Sequence, residues 1–175
     1  MSSSTLIGKQ TAVEWWTIDP TRTTVDFEVE HFCGLHTVRG RFRRFDGVYF
    51  LGPVGPEIEL TIEAGSVDTG NSVRDRHLRS ADFFDVDEHP QVRFTSTQVD
   101  GLGNGQVRVS GELDVAGTSV PLAFDASVRM IGADLELEAT TTVDQRRFGM
   151  NQGPLGNIQT PTQLHVQAHL VRQPD

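Results

Sequence analysis

From Trp16 to Leu170 the chain keeps returning to one pattern, apolar residues at every second position in runs separated by turn residues. Strict alternation places one face of an extended strand against a core and the other in water. Val25, Phe27, Val29 and His31 alternate with Asp26, Glu28 and Glu30, and Val38, Gly40 and Phe42 with Arg39, Arg41 and Arg43. Ile58, Leu60, Ile62 and Ala64 alternate with Glu57, Glu59, Thr61 and Glu63, while Val92 and Phe94 flank Arg93. Three long runs follow: Val107 to Val115, Val120 to Met130, and Leu135 to Val143 through Ala139 and Thr141. Gly117-Thr118 and Gly132-Ala133 join them, connections short enough to force antiparallel hairpins. Leu164, Val166, Ala168 and Leu170 make a last strand. With a short strand at Trp16 to Asp19 the total is about eight or nine, and so many antiparallel strands without a long helix form a closed barrel or a sandwich.

Two stretches break the alternation. In Asn71 to Val86, Asn71 is placed to cap a short helix through Arg79, and Asp82 to cap a turn at Phe83-Phe84. Asp75 and Arg79 have the spacing of an i,i+4 ion pair on a wet helix face. A helical insertion of about 71–86 between strands is suited to act as a lid or plug. Asp144 to Pro161, with Arg146, Arg147, Phe148 and Met150, is a loop too long for a passive connection in a tight meander.

A chain of 175 residues suits one domain, here 14–175, preceded by a polar leader over 1–13. Its 15 Lys+Arg against 24 Asp+Glu leave a net charge of −9, which repels phosphate backbones and makes nucleic acid a poor partner. The basic run Arg39, Arg41, Arg43, Arg44 reads as one strand face, balanced across a hairpin by the carboxylates of the preceding strand. A single cysteine, Cys33, excludes an intramolecular disulfide and a cysteine-built zinc site. No run approaches the ~20 apolar residues of a membrane span. The N-terminal stretch has no basic n-region, and Leu6-Ile7 is too short for a signal-peptide core, so the expected location is cytoplasmic.

The inward phase mixes bulky residues (Phe27, Phe42, Phe94, Phe124, Met130) with Gly40, Gly111, Ala126, Ala139 and Ala168. Small residues on several strands leave room inside an eight-stranded barrel for one slender ligand; a solid core with glycines at bulges is the alternative. Such a space suits an alkyl or isoprenyl chain, because apolar burial alone drives binding. The site expected to line it includes Phe94 and Phe124. An enzyme finds less support: no nucleophile elbow, phosphate loop or dinucleotide motif is present. His31, Cys33 and His36 are close enough in sequence to suggest a metal, but histidine at a strand end is more often a hydrogen-bonded structural group, so no metal or cofactor is expected. His165 and His169 fall on the wet face and are expected to be exposed. The competing functions are therefore a metal-assisted or acid-base enzyme using His31, His36 or His77, and a solid-core protein-interaction module.

Trp16-Thr17-Ile18-Asp19-Pro20, Val25 to His31, Val38-Arg39-Gly40-Arg41-Phe42, Ser72 to Leu78 with Asp82-Phe83-Phe84-Asp85-Val86, and His89-Pro90 together resemble the YceI-like family. Gly111-Glu112-Leu113, Gly117-Thr118 and Arg147-Phe148-Gly149-Met150 resemble its second half, so the likeness runs over about residues 15 to 172. The resemblance implies an all-β, eight-stranded antiparallel lipocalin-like barrel that binds a polyisoprenoid, quinone or fatty amphiphile, for carriage or sequestration rather than catalysis, often as a homodimer. By position it implies that Phe27, Val29, His31 and Phe42 line the interior, that Phe83, Phe84, Phe148 and Met150 close or line an end, and that His31 and His77 hydrogen-bond a polar head or a structural carbonyl.

Overall fold

The computed structural model describes residues 13–31, 36–150 and 160–174, with the side chain of His31 outside that description. Eleven strands pair antiparallel throughout the described residues: β1 (Glu14–Ile18), β2 (Thr24–His31), β3 (His36–Phe42), β4 (Phe45–Gly52), β5 (Gly55–Glu63), β6 (Val67–Asp68), β7 (Gln91–Gly103), β8 (Gln106–Val115), β9 (Thr118–Ile131), β10 (Asp134–Val143) and β11 (Thr162–Arg172). Eight of them close a ring in the order β1-β4-β5-β7-β8-β9-β10-β11, with β11 returning to β1. The remaining β2, β3 and β6 continue the bent strands beyond the ring: β1 and β2 follow one another along the same edge of β11, at Leu170 to Arg172 and at Gln163 to Gln167. Closure removes free sheet edges and decides for a barrel over a sandwich.

The alternation leaves β4 unassigned because both of its faces are apolar. Val48 and Phe50 point outward, half-buried against Thr17 and Trp15 of β1, so no wet phase marks the strand. In β7 the register slips between Ser96 and Gln98 and between Gly101 and Gly103, and such a bulge shifts the apolar phase. Met130, expected to face inward, is 55% exposed. It sits one residue before the end of β9, where the hairpin has run past the core.

The cross-strand charge pairing of β2 and β3 is present. Arg39 lies 2.8 Å from Glu28 and Arg41 3.6 Å from Asp26, and Arg43 continues the series with Asp68 at 2.6 Å. His169, by contrast, is 3% exposed. The bend between β1 and β2 folds over it: Asp19 N donates to the His169 carbonyl at 2.8 Å, the His169 amide donates to Thr23 Oγ1, and its Nε2 lies 3.0 Å from Asp134. Only that bend, set by distant pairing, takes an outward position out of water. His165 stays on the outer face beside Glu138.

One barrel end carries the β4–β5, β7–β8 and β9–β10 hairpins. It is filled by Trp16, Leu135, Ala168 and Leu170, with Tyr49 edge-on to Trp16 at 5.7 Å. The Trp16 indole donates to the Ala133 carbonyl at 2.8 Å, satisfying its one polar atom. The opposite end is covered by the helix α1 (Ser72–Arg79), the turn after it, and a 3₁₀ turn at Gln145–Phe148.

Candidate functional site

The lid begins with Asn71, whose Oδ1 accepts from the amides of Val73 and Arg74 at 3.1 and 3.0 Å and so starts α1 as expected. Two turns of helix are unstable alone and need a docking partner. The expected Asp75–Arg79 pair on a wet face does not form, because both side chains dock the helix. Asp75 is buried and accepts from the Thr69 amide at 2.9 Å and its hydroxyl at 2.6 Å. Arg79 donates to the carbonyls of Gly65 and Val67 at 2.8 and 2.9 Å, and Arg74 to the Thr69 hydroxyl at 2.8 Å. The backbone around the two-residue β6 has little ladder to satisfy it, and these side chains take that place. The next turn is closed by backbone rather than by an Asp82 cap: Phe83 N donates to Ser80 O at 3.0 Å and Phe84 N to Leu78 O at 3.0 Å.

On the other side of this end, Asp144 Oδ1 accepts from the Arg146 amide at 3.0 Å and opens the 3₁₀ turn. Gly149 at φ 78° ends it in the left-handed region, where glycine has no Cβ to strain, and so turns Met150 back toward the barrel. Phe148 and Met150 are both buried.

Between the lid and the Trp16 plug lies a cavity of about 200 Å³. Of the residues named from sequence, Phe27, Val29, Phe42, Phe83, Phe84, Phe94, Phe124, Phe148 and Met150 all line it. Their rings form edge and tilted contacts, Phe27–Phe42 at 5.6 Å, Phe42–Phe84 at 5.7 Å and Phe94–Phe124 at 5.4 Å. Val25, Leu60, Ile62, Val92, Leu122 and Val166 are among the other residues of the strand walls, and Leu78 enters from α1. The alternation already put these strand residues on the inward phase.

His77 is not among the lining residues. Its ring packs edge-on against Phe83 at 5.0 Å, and its buried Nε2 has no hydrogen-bond partner among the described residues. The His31 side chain, Cys33 and the leader 1–12 fall outside the described residues. Among the described residues no three His, Cys, Asp or Glu side chains converge as metal ligands.

The expected roles of the small residues need correction. Gly40 does not leave space for a ligand; the Phe27 ring fills it, since a Cβ built on Gly40 would lie 2.7 Å from Phe27 Cε1 and 2.9 Å from Thr69 Cγ2. Gly111 is likewise covered by Phe94, whose Cζ would be 2.7 Å from a Cβ there. Ala126 is packed in the core without lining the cavity, whereas Ala139 does line it.

Among the described residues, three lining side chains are polar and none is charged: Thr141, Gln145 and Thr162. They meet at the lid end, where Val143 pairs with Thr162 and Thr141 with Leu164. Gln145 is buried; its Nε2 donates to the Thr160 carbonyl at 2.8 Å and its Oε1 accepts from the Thr162 hydroxyl at 3.1 Å. Thr141 stands on the inward phase of its strand and was legible there, but Gln145 lies in a non-periodic turn that gives no such signal.

Comparison with known proteins agrees with this architecture. The YceI-like domain family model matches residues 16–170. A UPF0312 protein of Ectopseudomonas mendocina is 31% identical over 181 residues, covering 97% of this chain and 94% of that protein. The fold is shared with Burkholderia cenocepacia BcnA, at a TM-score of 0.79 and 18% identity over 87% of this chain and 98% of that one. It is also shared with a polyisoprenoid-binding domain of Saccharophagus degradans implicated in plant cell wall breakdown, at a TM-score of 0.75 and 20% identity over 94% of this chain and 100% of that one. With a match from Trp16 to Leu170 over a closed eight-stranded barrel, the chain belongs to the YceI-like family.

Proposed function

We propose that this protein is a non-enzymatic binding protein that holds the chain of an apolar or amphiphilic lipid, such as a polyisoprenoid, quinone or fatty amphiphile, in the barrel for carriage or sequestration. The observation that carries this reading is the interior wall, in which, among the described residues, all lining side chains but Thr141, Gln145 and Thr162 are apolar. Among the described residues such a wall holds no charged acid or base, and it rewards every methylene removed from water by about 0.8 kcal/mol. The polyisoprenoid-binding domain with which the fold is shared agrees with it.

The cavity volume bounds what enters without rearrangement. A cavity of about 200 Å³ takes a short stretch of chain without rearrangement. A longer chain extends past Phe84, Phe148 or Met150 by turning those side chains.

The test is a titration of straight-chain alcohols of increasing length, read by displacement of a fluorescent apolar probe, alongside native mass spectrometry of the purified protein. Affinity is expected to rise about fourfold per added methylene and then level off where the chain meets the Trp16 plug. Ala139→Leu, which puts bulk into the cavity wall, is expected to move that plateau to shorter chains while the protein stays folded. Affinity independent of chain length, or unchanged in the variant, would refute the reading.

A further inference from the structure

The outer faces of β2, β3 and β5 are charged, whereas at the plugged end apolar side chains face water. We propose that this end docks on a zwitterionic lipid surface, with Trp15 and the β4–β5 and β9–β10 turns entering its headgroup layer. This docking does not depend on what the barrel holds.

Single exposed apolar residues are ordinary on a protein surface; their gathering at one place marks an interaction site. Among the described residues nine large apolar side chains are exposed, and eight of them, all but Val73, belong to this end. Trp15, 48% exposed, stands opposite the outward Phe50 across β1 and β4, and Val171 stands opposite Thr17 across β1 and β11. Leu51 and Val54 flank the β4–β5 turn, and Val54, 90% exposed, projects into water with almost nothing beside it. Met130 and Ile131 lead into the β9–β10 turn, which the bond from the Trp16 indole to the Ala133 carbonyl holds next to β1. Two turns and the start of β1 thus share one corner of the barrel.

The corner is also poor in free charge. Residues 51–56 and 130–133 contain no Asp, Glu, Lys or Arg, in a chain that is 22% charged. Between the two turns Glu14 and Arg172 neutralise one another at 2.7 Å, and behind the β9–β10 turn Arg129 is paired with Glu136. Uncharged turns enter a headgroup layer without an ion to dehydrate, and tryptophan is the side chain that layer favours. A rigid protein partner needs a continuous patch of about 800 Å². Side chains that project singly from turns, as Val54 does, suit a fluid layer that closes around them. The exposed carboxylate of Glu57, opposite Phe50, and the net charge of −9 repel anionic headgroups, so the surface is zwitterionic.

The test is flotation of the full-length protein with phosphatidylcholine vesicles, together with its tryptophan emission in vesicles of brominated phosphatidylcholine. The wild type is expected to float with the vesicles, equally well at high salt, and less when phosphatidylglycerol is mixed in. Bromine is expected to quench Trp15 while the buried Trp16 continues to emit, and Trp15→Phe is expected to lose the quenching and keep the flotation. Val54→Asp and Ile131→Asp, on separate turns, are each expected to weaken vesicle binding by about tenfold or more. Val73→Asp, the same change on the exposed face of α1 at the other end, is expected to leave it unchanged, with urea midpoints confirming that each variant is folded. Wild type that stays with the buffer, that floats only with anionic vesicles, or that floats equally well in all three aspartate variants overturns the docking. Self-association without vesicle binding, abolished by Val54→Asp, overturns it as well and gives this corner to a second copy of the chain.

Discussion

The ring of Phe27 lies over the backbone of Gly40, its partner across β2 and β3, in the space that any larger residue at 40 would need. The glycine is thus a seat for a wall residue of the tunnel. Thr69, beside β6, closes the seat from the other side, so the ring has little freedom to yield except into the cavity.

Gly40→Ala is therefore expected to destabilise the protein by about 1–3 kcal/mol, the usual cost of overpacking, and to weaken ligand binding by pushing Phe27 into the tunnel. Phe27→Leu in the same chain is expected to recover most of the loss. The measurement is the urea midpoint of each single variant and of the pair; additive losses would show that the two side chains do not compete for one space.

Asp75 anchors the lid. Asp75→Ala removes the acceptor of the Thr69 amide and hydroxyl and leaves two part-buried donors unpaired, which is expected to cost about 2 kcal/mol. Ligand release is expected to quicken, because α1 carries Leu78 into the cavity wall. Asp82→Ala, at an exposed site, is the control and is expected to stay within ~0.5 kcal/mol of wild type. Equal effects of the two substitutions in stopped-flow release and urea unfolding would contradict this role for Asp75.

His77 presents the opposite case, a buried ring nitrogen without a hydrogen-bond partner among the described residues. Replacing such a group by an apolar one of similar size is neutral or stabilising. His77→Leu is expected to leave farnesol affinity unchanged and the melting temperature equal or higher. A selective loss of farnesol against farnesene would instead bring the imidazole to the ligand's head.

Acid should loosen the barrel through its outer face. Hydrogen bonding from Arg108 holds the Asp125 carboxyl below its usual range, His169 does the same for Asp134, Arg129 for Glu136 and Arg146 for Asp144. A carboxyl with a lowered folded pKa contributes stability that is complete above its unfolded value, ~4, and disappears as pH falls through the folded one. Urea midpoints are expected to be flat from pH 5 to 7 and to fall below ~4, less steeply in Asp125→Asn. All these groups are near the surface, so 0.5 M salt is expected to shrink the effect. A midpoint at pH 3 equal to that at pH 6 would count against it.

Much of this was written locally. Period-two alternation assigns Phe27, Phe42, Phe94 and Phe124 to the inside, and the facing carboxylates and arginines of β2 and β3 follow from register, because in a strand a side chain's face depends only on its position in the run. The Asn71 cap is equally local, a matter of one side chain and two amides. Whether an inward residue touches a ligand, another side chain or a neighbour's backbone depends on what lies across the barrel, and there the tertiary structure decided. It seated Phe27 on Gly40, folded the β1–β2 bend over His169, turned Asp75 and Arg79 onto β6, and brought Gln145 from a non-periodic turn to Thr162. The bend over His169 joins segments that meet only when the ring closes, and the other contacts join neighbouring elements across their turns; no alternation along one strand contains either kind of information.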